Sequence, residues 1–172
     1  MAKLVNLQIN ELPEIRVIGK AVYPDMNDNE NPIPAFWGQC FNDGTFTKLE
    51  ELSGQHFDSS YVGWMGDWDI NTGRFIYICG MLMKPGTPVP EGFVYRDIPA
   101  ATVAIGWIQG FEKDVYSSAH ELTQNAMEEQ GYKTDDSASW CMELYNCPRF
   151  TVPMENGEII LDYYIPCTHH DK

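Results

Sequence analysis

The feature that most constrains the fold of this chain is an order of segments that occurs twice. Stretches rich in β-branched and aromatic residues predict strands, and stretches with apolar residues at helical spacing predict helices. They follow one another as strand, helix, strand, strand, at 14–23, 34–41, 61–68 and 74–83, and again at 101–108, 114–130, 140–145 and 158–166. This order predicts an α+β fold of duplicated β-α-β-β repeats with pseudo-twofold symmetry, in which antiparallel sheets flank a central ligand cleft.

The boundaries of the repeats follow from the segment that is rich in proline and glycine. It covers 84–92 and is predicted to be a connector. We therefore expect a single domain over 1–172, with a first repeat at about 13–83 and a second at about 93–168. The alternating stretch 4–9 predicts a further strand at the start of the chain.

Short residue matches support the duplication. They pair Val17–Gly19 with Ala104–Gly106, and Phe75–Ile78 with Leu161–Tyr164. Aligning Asp67 with Asn146 sets Trp64 opposite Glu143. We therefore expect Trp64 and Glu143 to line the two sides of the cleft.

Composition excludes several classes of function. Hydrophobic residues make up 44% of the chain and aromatic residues 13%, which indicates a folded domain. The formal net charge is -14 and only 11 Lys and Arg are present, whereas binding to nucleic acid needs clustered basic residues. No apolar run approaches the roughly 20 residues of a membrane span, so we expect neither nucleic acid nor a membrane as a partner.

Cysteine and histidine usage gives no sign of a metal or a cofactor. The five cysteines form no C-x-x-C pair and no signal peptide is evident, so we expect reduced thiols in a cytoplasmic protein. His169 and His170 lie next to each other but have no other ligand type at metal spacing, and we expect them to belong to a frayed terminus. His120 lies beside the apolar stripe of its helix and is expected to be solvated.

A single carboxylate interrupts the most apolar of the late strands. In the stretch Trp140–Tyr145, alternation puts Glu143 on one face with Cys141 and Tyr145, and Trp140 on the other. Burying a carboxylate is costly unless something compensates it. Glu143 therefore lies either at a wet sheet edge or in a pocket that receives a positive or hydrogen-bonding partner.

The chain as a whole resembles the GyrI-like small-molecule-binding family, which includes the effector-binding domains of AraC-type and MerR-type multidrug-responsive regulators. The segments that carry the resemblance are 15–23, 61–63, 77–80, 95–110, 140–145 and 161–166. The resemblance implies an aromatic-walled cleft with Glu143 at its floor, where it neutralises planar cationic compounds. About a dozen residues precede the first confident strand, too few for a helix-turn-helix, so we expect a stand-alone member.

Three functions are compatible with the resemblance. The first is a binding protein for planar, apolar and cationic small molecules. The second is a hydrolase that adds water to strained, cyclopropane-bearing toxins, with Glu143 as the general base and Tyr145 as a second catalytic group. The third is an acidic protein-binding module similar to a gyrase inhibitor, although the acidic residues are scattered rather than clustered.

Candidate ligand contacts are aromatic residues, because their faces hold organic cations. Alongside Glu143 they are Trp64, Tyr145, Tyr77, Tyr163, Trp107 and Trp37. Each tryptophan taken singly is equally compatible with a place in the core. Trp107 is a candidate because the small neighbouring residue Gly106 would let another group approach closely. Tyr164 is expected to face away from the cleft if Tyr163 faces into it, and a one-residue error in register would exchange them.

Overall fold

The computed structural model describes residues 1–170, and this part of the chain contains nine strands and three helices. The elements are β1 (Lys3–Leu12), β2 (Ile15–Val22), α1 (Ile33–Asn42), α2 (Thr45–Glu50), β3 (His56–Gly66), β4 (Ile76–Met83), β5 (Val94–Ile98), β6 (Ala101–Gly110), α3 (Glu112–Glu129), β7 (Tyr132–Thr134), β8 (Cys141–Tyr145) and β9 (Ile159–His169). The strand pairings described below are all antiparallel, so the expected α+β class with antiparallel sheet is confirmed.

One compact unit comprises Glu14–Pro99. Its strands pair in the order β5-β2-β4-β3, and every residue of β4 is buried. A Cβ atom on Gly19 would lie 2.0 Å from the carbonyl oxygen of Cys79, and one on Gly80 would lie 2.1 Å from that of Ile18. The close approach of β2 and β4 at this paired position therefore requires glycine on both strands.

The other unit comprises Met1–Pro13 together with the chain from Ala100 onward. Its strands pair in the order β1-β6-β9-β8, and β7 also pairs with β9. Helix α3 packs closely on β6, since a Cβ atom on Gly106 would lie 2.3 Å from the Oγ1 atom of Thr123. Gly131 has a φ angle of +88° just beyond the helix, a left-handed conformation that commonly ends a helix at glycine.

One expectation about the end of the chain needs correction. His169 does not belong to a frayed terminus, because it is the last residue of β9 and pairs with Tyr132 of β7. Strand β5 pairs with β2 and lies in the Glu14–Pro99 unit, while the boundary between repeats near residue 93 stays a prediction. A short strand such as β7 gives too little periodicity to be predicted from sequence.

The short residue matches between the halves do not share one register. Gly19 pairs with Gly80, whereas Gly106 pairs with Tyr163. If Gly19 corresponds to Gly106, their strand partners Gly80 and Tyr163 correspond as well. The match of Phe75–Ile78 with Leu161–Tyr164 instead aligns Tyr77 with Tyr163. The two matches cannot both align equivalent strand positions.

All five cysteines have free thiols, and only Cys147 is exposed.

Within residues 1–170, no helix is long and apolar enough to cross a bilayer.

Candidate ligand-binding site

Glu143 lies in the middle of β8, in the unit that contains α3. It is paired with Tyr163 of β9, and directly opposed residues of an antiparallel pair share a face. Only 9% of Glu143 is exposed. The hydroxyl of Tyr145 donates a hydrogen bond of 3.1 Å to Oε1 of Glu143, so the strand itself supplies one partner for this carboxylate.

Tyr163 is held against helix α3. Its hydroxyl oxygen lies 2.9 Å from Nδ1 of His120, and the two rings meet edge to face with centroids 5.5 Å apart. Burial, followed by the neighbouring Cys141 thiol and the Glu143 carboxylate, raises the pKa of Tyr163. Tyr163 is therefore a neutral hydroxyl, and it lies on the face of Glu143 while Tyr164 lies on the opposite face.

Two further aromatic side chains contact Tyr145. Tyr116 of α3 lies edge to face with it at a centroid distance of 6.5 Å, and Phe150 does the same at 4.8 Å. Tyr116 is 41% exposed, and its hydroxyl donates to Oε1 of Glu112 at 3.1 Å. Partial burial and the charges of Glu112 and Glu143 raise the pKa of Tyr116, so this ring too is uncharged. The Glu143 carboxylate therefore lies in a group of aromatic side chains that carry hydroxyls.

Trp107 does not belong to this group. It is paired with Asp162, which lies on the face of the sheet opposite Tyr163 and Glu143. There the guanidinium of Arg149 stacks over the Trp107 ring, with its central carbon 4.1 Å from the ring centroid. Nε of Arg149 also donates to Oδ1 of Asp162 at 2.7 Å. The sequence indicated a close approach at Gly106, but the group that approaches is Thr123 of α3.

Tyr77 and Trp37 lie together in the Glu14–Pro99 unit. Nε1 of Trp37 donates a hydrogen bond of 3.0 Å to the hydroxyl of Tyr77, and the two rings meet edge to face. Tyr77 is 1% exposed and belongs to the core cluster that α1 and α2 cover. A helix-to-strand bond through a tyrosine hydroxyl is thus present in this unit as well as in the other.

Trp64 lies on the opposite face of its sheet from Tyr77. It pairs with Ile78, whereas Tyr77 pairs with Met65. Its ring covers Gly66, where a Cβ atom would lie 2.3 Å from the indole. Trp64 is 5% exposed, and its Nε1 has no hydrogen-bond partner in the described part of the chain. Trp64 and Tyr77 therefore cannot present their rings on one face of this sheet.

The chemistry available around Glu143 is that of a carboxylate and neutral hydroxyls. Burial and the nearby Glu143 raise the pKa of Cys141 to about 11, so this thiol is not a ready nucleophile. Among residues 1–170, no group of three or more His, Cys, Asp and Glu side chains is arranged to hold a metal ion.

Comparison with known proteins identifies the family. The model of the GyrI-like small molecule binding domain matches residues 6–167. The chain belongs to the GyrI-like family. The transcriptional regulator BrlR of Pseudomonas aeruginosa is 30% identical over 94 residues, which are 55% of this chain and 33% of BrlR. The chain thus spans about a third of the length of the curated relative it matches.

Two solved structures share the fold. SAV2435 bound to tetraphenylphosphonium superposes with a TM-score of 0.69 at 14% identity, covering 95% of this chain and 94% of that one. The C-terminal domain of EcmrR superposes with a TM-score of 0.57 at 17% identity, covering 95% and 98%. At these identities the likeness shows the fold alone.

Sequence reasoning missed three residues near Glu143, namely His120, Tyr116 and Phe150. Tyr116 and His120 are four residues apart on α3 and so share one helix face, a signal that was available in the sequence. Phe150 lies in the loop after β8, where no periodicity indicates a direction.

Proposed function

We propose that this GyrI-like protein binds planar, apolar organic cations at a site centred on Glu143. The observation that carries the proposal is the mostly buried Glu143 carboxylate, which accepts a hydrogen bond from Tyr145 and shares its face with Tyr163. A cation restores the electrostatic free energy that such a carboxylate loses on burial. Neutral aromatic rings add quadrupole attraction for the same ligand.

The family and a structural neighbour support a small, apolar and cationic ligand, whereas planarity stays a prediction because tetraphenylphosphonium is tetrahedral at phosphorus. The family model describes small-molecule binding, and a structural neighbour was solved with tetraphenylphosphonium, an apolar cation. We therefore use tetraphenylphosphonium as the probe. Tetraphenylborate has nearly the same shape and the opposite charge, so the difference between the two affinities isolates the electrostatic contribution.

The proposed site depends on three residues, namely Glu143, Tyr145 and Tyr163. The rings of Trp107 and Trp64 lie on the faces of their sheets opposite Glu143 and Tyr77, respectively. Their contact with a ligand stays a prediction, which conservative replacement of each tryptophan by phenylalanine would test.

The deciding experiment is calorimetric titration of wild type and three variants. Glu143→Gln should weaken tetraphenylphosphonium binding by at least about tenfold while leaving tetraphenylborate binding unchanged or stronger. Tyr145→Phe keeps the ring and should cost less. Glu129→Gln is the control, because it removes the same charge from an exposed position on α3. An affinity of Glu143→Gln equal to that of Glu129→Gln would refute the site.

Hydrolysis is the second candidate, and the Tyr145 hydroxyl at 3.1 Å from Glu143 is the observation that favours it. The carboxylate would accept a proton from water as the water oxygen bonds to a cyclopropane carbon and a ring C–C bond breaks. The electron pair of that bond would move to the oxygen of a carbonyl conjugated with the ring, to which the Tyr145 hydroxyl would donate. Incubation with a cyclopropane-bearing alkylator would then give a product heavier by one water. That product should be absent with Glu143→Gln.

The duplication is part of the proposal. It is supported by the strand orders β5-β2-β4-β3 and β1-β6-β9-β8. In each order, one added edge strand is followed by the first, the third and the second strand of a β-α-β-β repeat. The pseudo-twofold arrangement and the central cleft stay predictions. Cross-linking between cysteines placed on the two units would test them.

A further inference from the structure

Strand β1 forms an outer edge of the sheet in the unit that contains α3. It stands at the end of the order β1-β6-β9-β8, and within residues 1–170 it pairs with β6 alone. The outer side of an edge strand presents backbone N–H and C=O groups that its own sheet does not use. A strand of another chain can pair with these groups.

The sequence of β1 differs from that of an edge strand that stays in water. Natural edge strands are often short or carry charged residues and proline, which prevent pairing with other chains. Strand β5, the edge strand of the other unit, fits this description, since it has five residues and includes Arg96 and Asp97. Strand β1 has ten residues, and none from Leu4 to Asn10 is charged or a proline. A bulge interrupts its pairing with β6 just before Asn6, so regular pairing is available from there onward.

One face of β1 carries a row of amide side chains. Asn6, Gln8 and Asn10 alternate along the strand and therefore share a face, which is that of Trp107 on β6. Gln8 and Asn10 are exposed, and Nδ2 of Asn10 donates to Oε1 of Gln8 at 3.4 Å. Each amide side chain has both donors and an acceptor, so two identical rows can bond to each other. Two identical rows of one charge would repel each other.

We propose that two copies of this chain associate by antiparallel pairing of their β1 strands about a twofold axis at Gln8. A twofold contact is self-complementary, so Gln8 lies opposite Gln8 of the second copy, Leu7 opposite Ile9, and Asn6 opposite Asn10. Amides then meet amides on one face of the joined sheet, and aliphatic side chains meet on the other.

Other registers are less favourable. A shift of one residue would set amides opposite aliphatic side chains. A shift of two residues would set Glu11 opposite Leu7 in one direction, and in the other it would include the bulged residue Val5. The register centred on Gln8 avoids both problems. It does not involve Glu143, so the inference is independent of the ligand site proposed above.

The test uses the axis position, where one substitution places the same side chain on both strands. Sedimentation equilibrium should show a reversible dimer of wild type. Gln8→Lys and Gln8→Glu should each raise the dissociation constant of the dimer by about tenfold or more, because like charges then lie opposite each other. An equimolar mixture of the two variants should dimerise again, because opposite charges then meet. Gln130→Lys is the control, since it adds the same charge at an exposed position outside β1.

The charged variants should remain folded, because Gln8 is exposed. A circular dichroism spectrum equal to that of wild type would show that the loss of the dimer is not caused by unfolding. A wild-type protein that stays monomeric at every accessible concentration would overturn the inference. A mixture of Gln8→Lys and Gln8→Glu that associates no better than either variant alone would also overturn it, because the two side chains would then not meet at the axis.

Discussion

Nδ1 of His120 lies 2.9 Å from the hydroxyl of Tyr163, and this contact joins the middle of α3 to the strand that pairs with Glu143. Trp37 and Tyr77 are joined in the same way at 3.0 Å in the other unit. In both cases a ring nitrogen on a helix fixes a buried tyrosine on the last long strand of its unit. The orientation of both tyrosine rings is thereby fixed by a contact with a helix.

The first prediction concerns the pH dependence of stability. Desolvation lowers the pKa of His120 below its ordinary value of 6.5, and a hydrogen bond with Gln124 offsets part of this effect. The unfolded state therefore binds a proton more readily than the folded state. The contribution of His120 is complete above pH 6.5 and is lost as the pH falls through and below that value.

Urea unfolding between pH 5 and pH 8 would measure this effect. The urea concentration at the midpoint of wild-type unfolding should decrease as the pH is lowered below about 6.5. His120→Gln should make this decrease smaller. His170→Gln is the control, since His170 is exposed. An identical pH profile for His120→Gln and wild type would show that protonation of His120 does not contribute to the pH dependence of the free energy of unfolding.

The second prediction concerns thiol reactivity. Cys147 is exposed, while Cys40, Cys79, Cys141 and Cys167 are buried. Burial raises the pKa of Cys141 and of Cys167 to about 11, so their thiolate fractions at neutral pH are very small. A colorimetric disulfide reagent should modify one thiol rapidly and the others only after denaturation. Cys147→Ser should abolish the rapid phase, and a remaining rapid phase would contradict the burial of the other thiols.

The sequence predicts which residues of the site share a face within one strand. Alternation along one strand correctly grouped Glu143 with Tyr145, because the period of side-chain direction is fixed. Tyr163 was expected to face inward, and its pairing with Glu143 places the two on one face.

What the sequence could not supply is the register between strands. Trp107 was a candidate because it neighbours Gly106, but that same adjacency puts the two residues on opposite faces of β6. Trp64 was chosen by aligning two turns, and a shift of one residue in such an alignment exchanges the faces. His120 is exposed, as the sequence predicts, but its contact with the Tyr163 hydroxyl was not predicted, since helical periodicity does not identify the group that a polar side chain reaches.

The third prediction compares two glycines. A Cβ atom on Gly106 would lie 2.3 Å from Oγ1 of Thr123, whereas one on Gly38 of α1 would meet nothing within 4 Å. Gly106→Ala should lower the free energy of unfolding by about 1–3 kcal/mol through overpacking. Gly38→Ala should raise it by about 0.5–1 kcal/mol, because alanine loses less backbone entropy in a helix.

A second substitution tests the cause assigned to Gly106. Thr123→Ala removes Oγ1, which has no hydrogen-bond partner in the described part of the chain. Combined with Gly106→Ala it should recover most of the lost stability. Failure of the double variant to recover would mean that the clash with α3 is not what makes glycine necessary.

The last prediction concerns two bidentate ion pairs that differ in burial. Asp162 is 2% exposed and accepts two bonds from Arg149, which also stacks on Trp107. Asp97 accepts two bonds from Arg16, but half of its side chain is exposed. Arg149→Met should cost about 3 kcal/mol or more, because it leaves a buried carboxylate without its counter-charge. Asp97→Asn should cost less than about 1 kcal/mol, since water screens that pair.

A double-mutant cycle separates the ion pair from the stacking interaction. Adding Asp162→Asn to Arg149→Met removes the uncompensated charge and should restore part of the stability, whereas the loss of the cation over Trp107 is not restored. Arg149 and Phe150 are consecutive, and Phe150 contacts Tyr145 beside Glu143. Arg149→Met should therefore also weaken tetraphenylphosphonium binding, and Asp97→Asn should not. Additive effects in the cycle would show that Arg149 and Asp162 have no interaction free energy and would contradict the prediction.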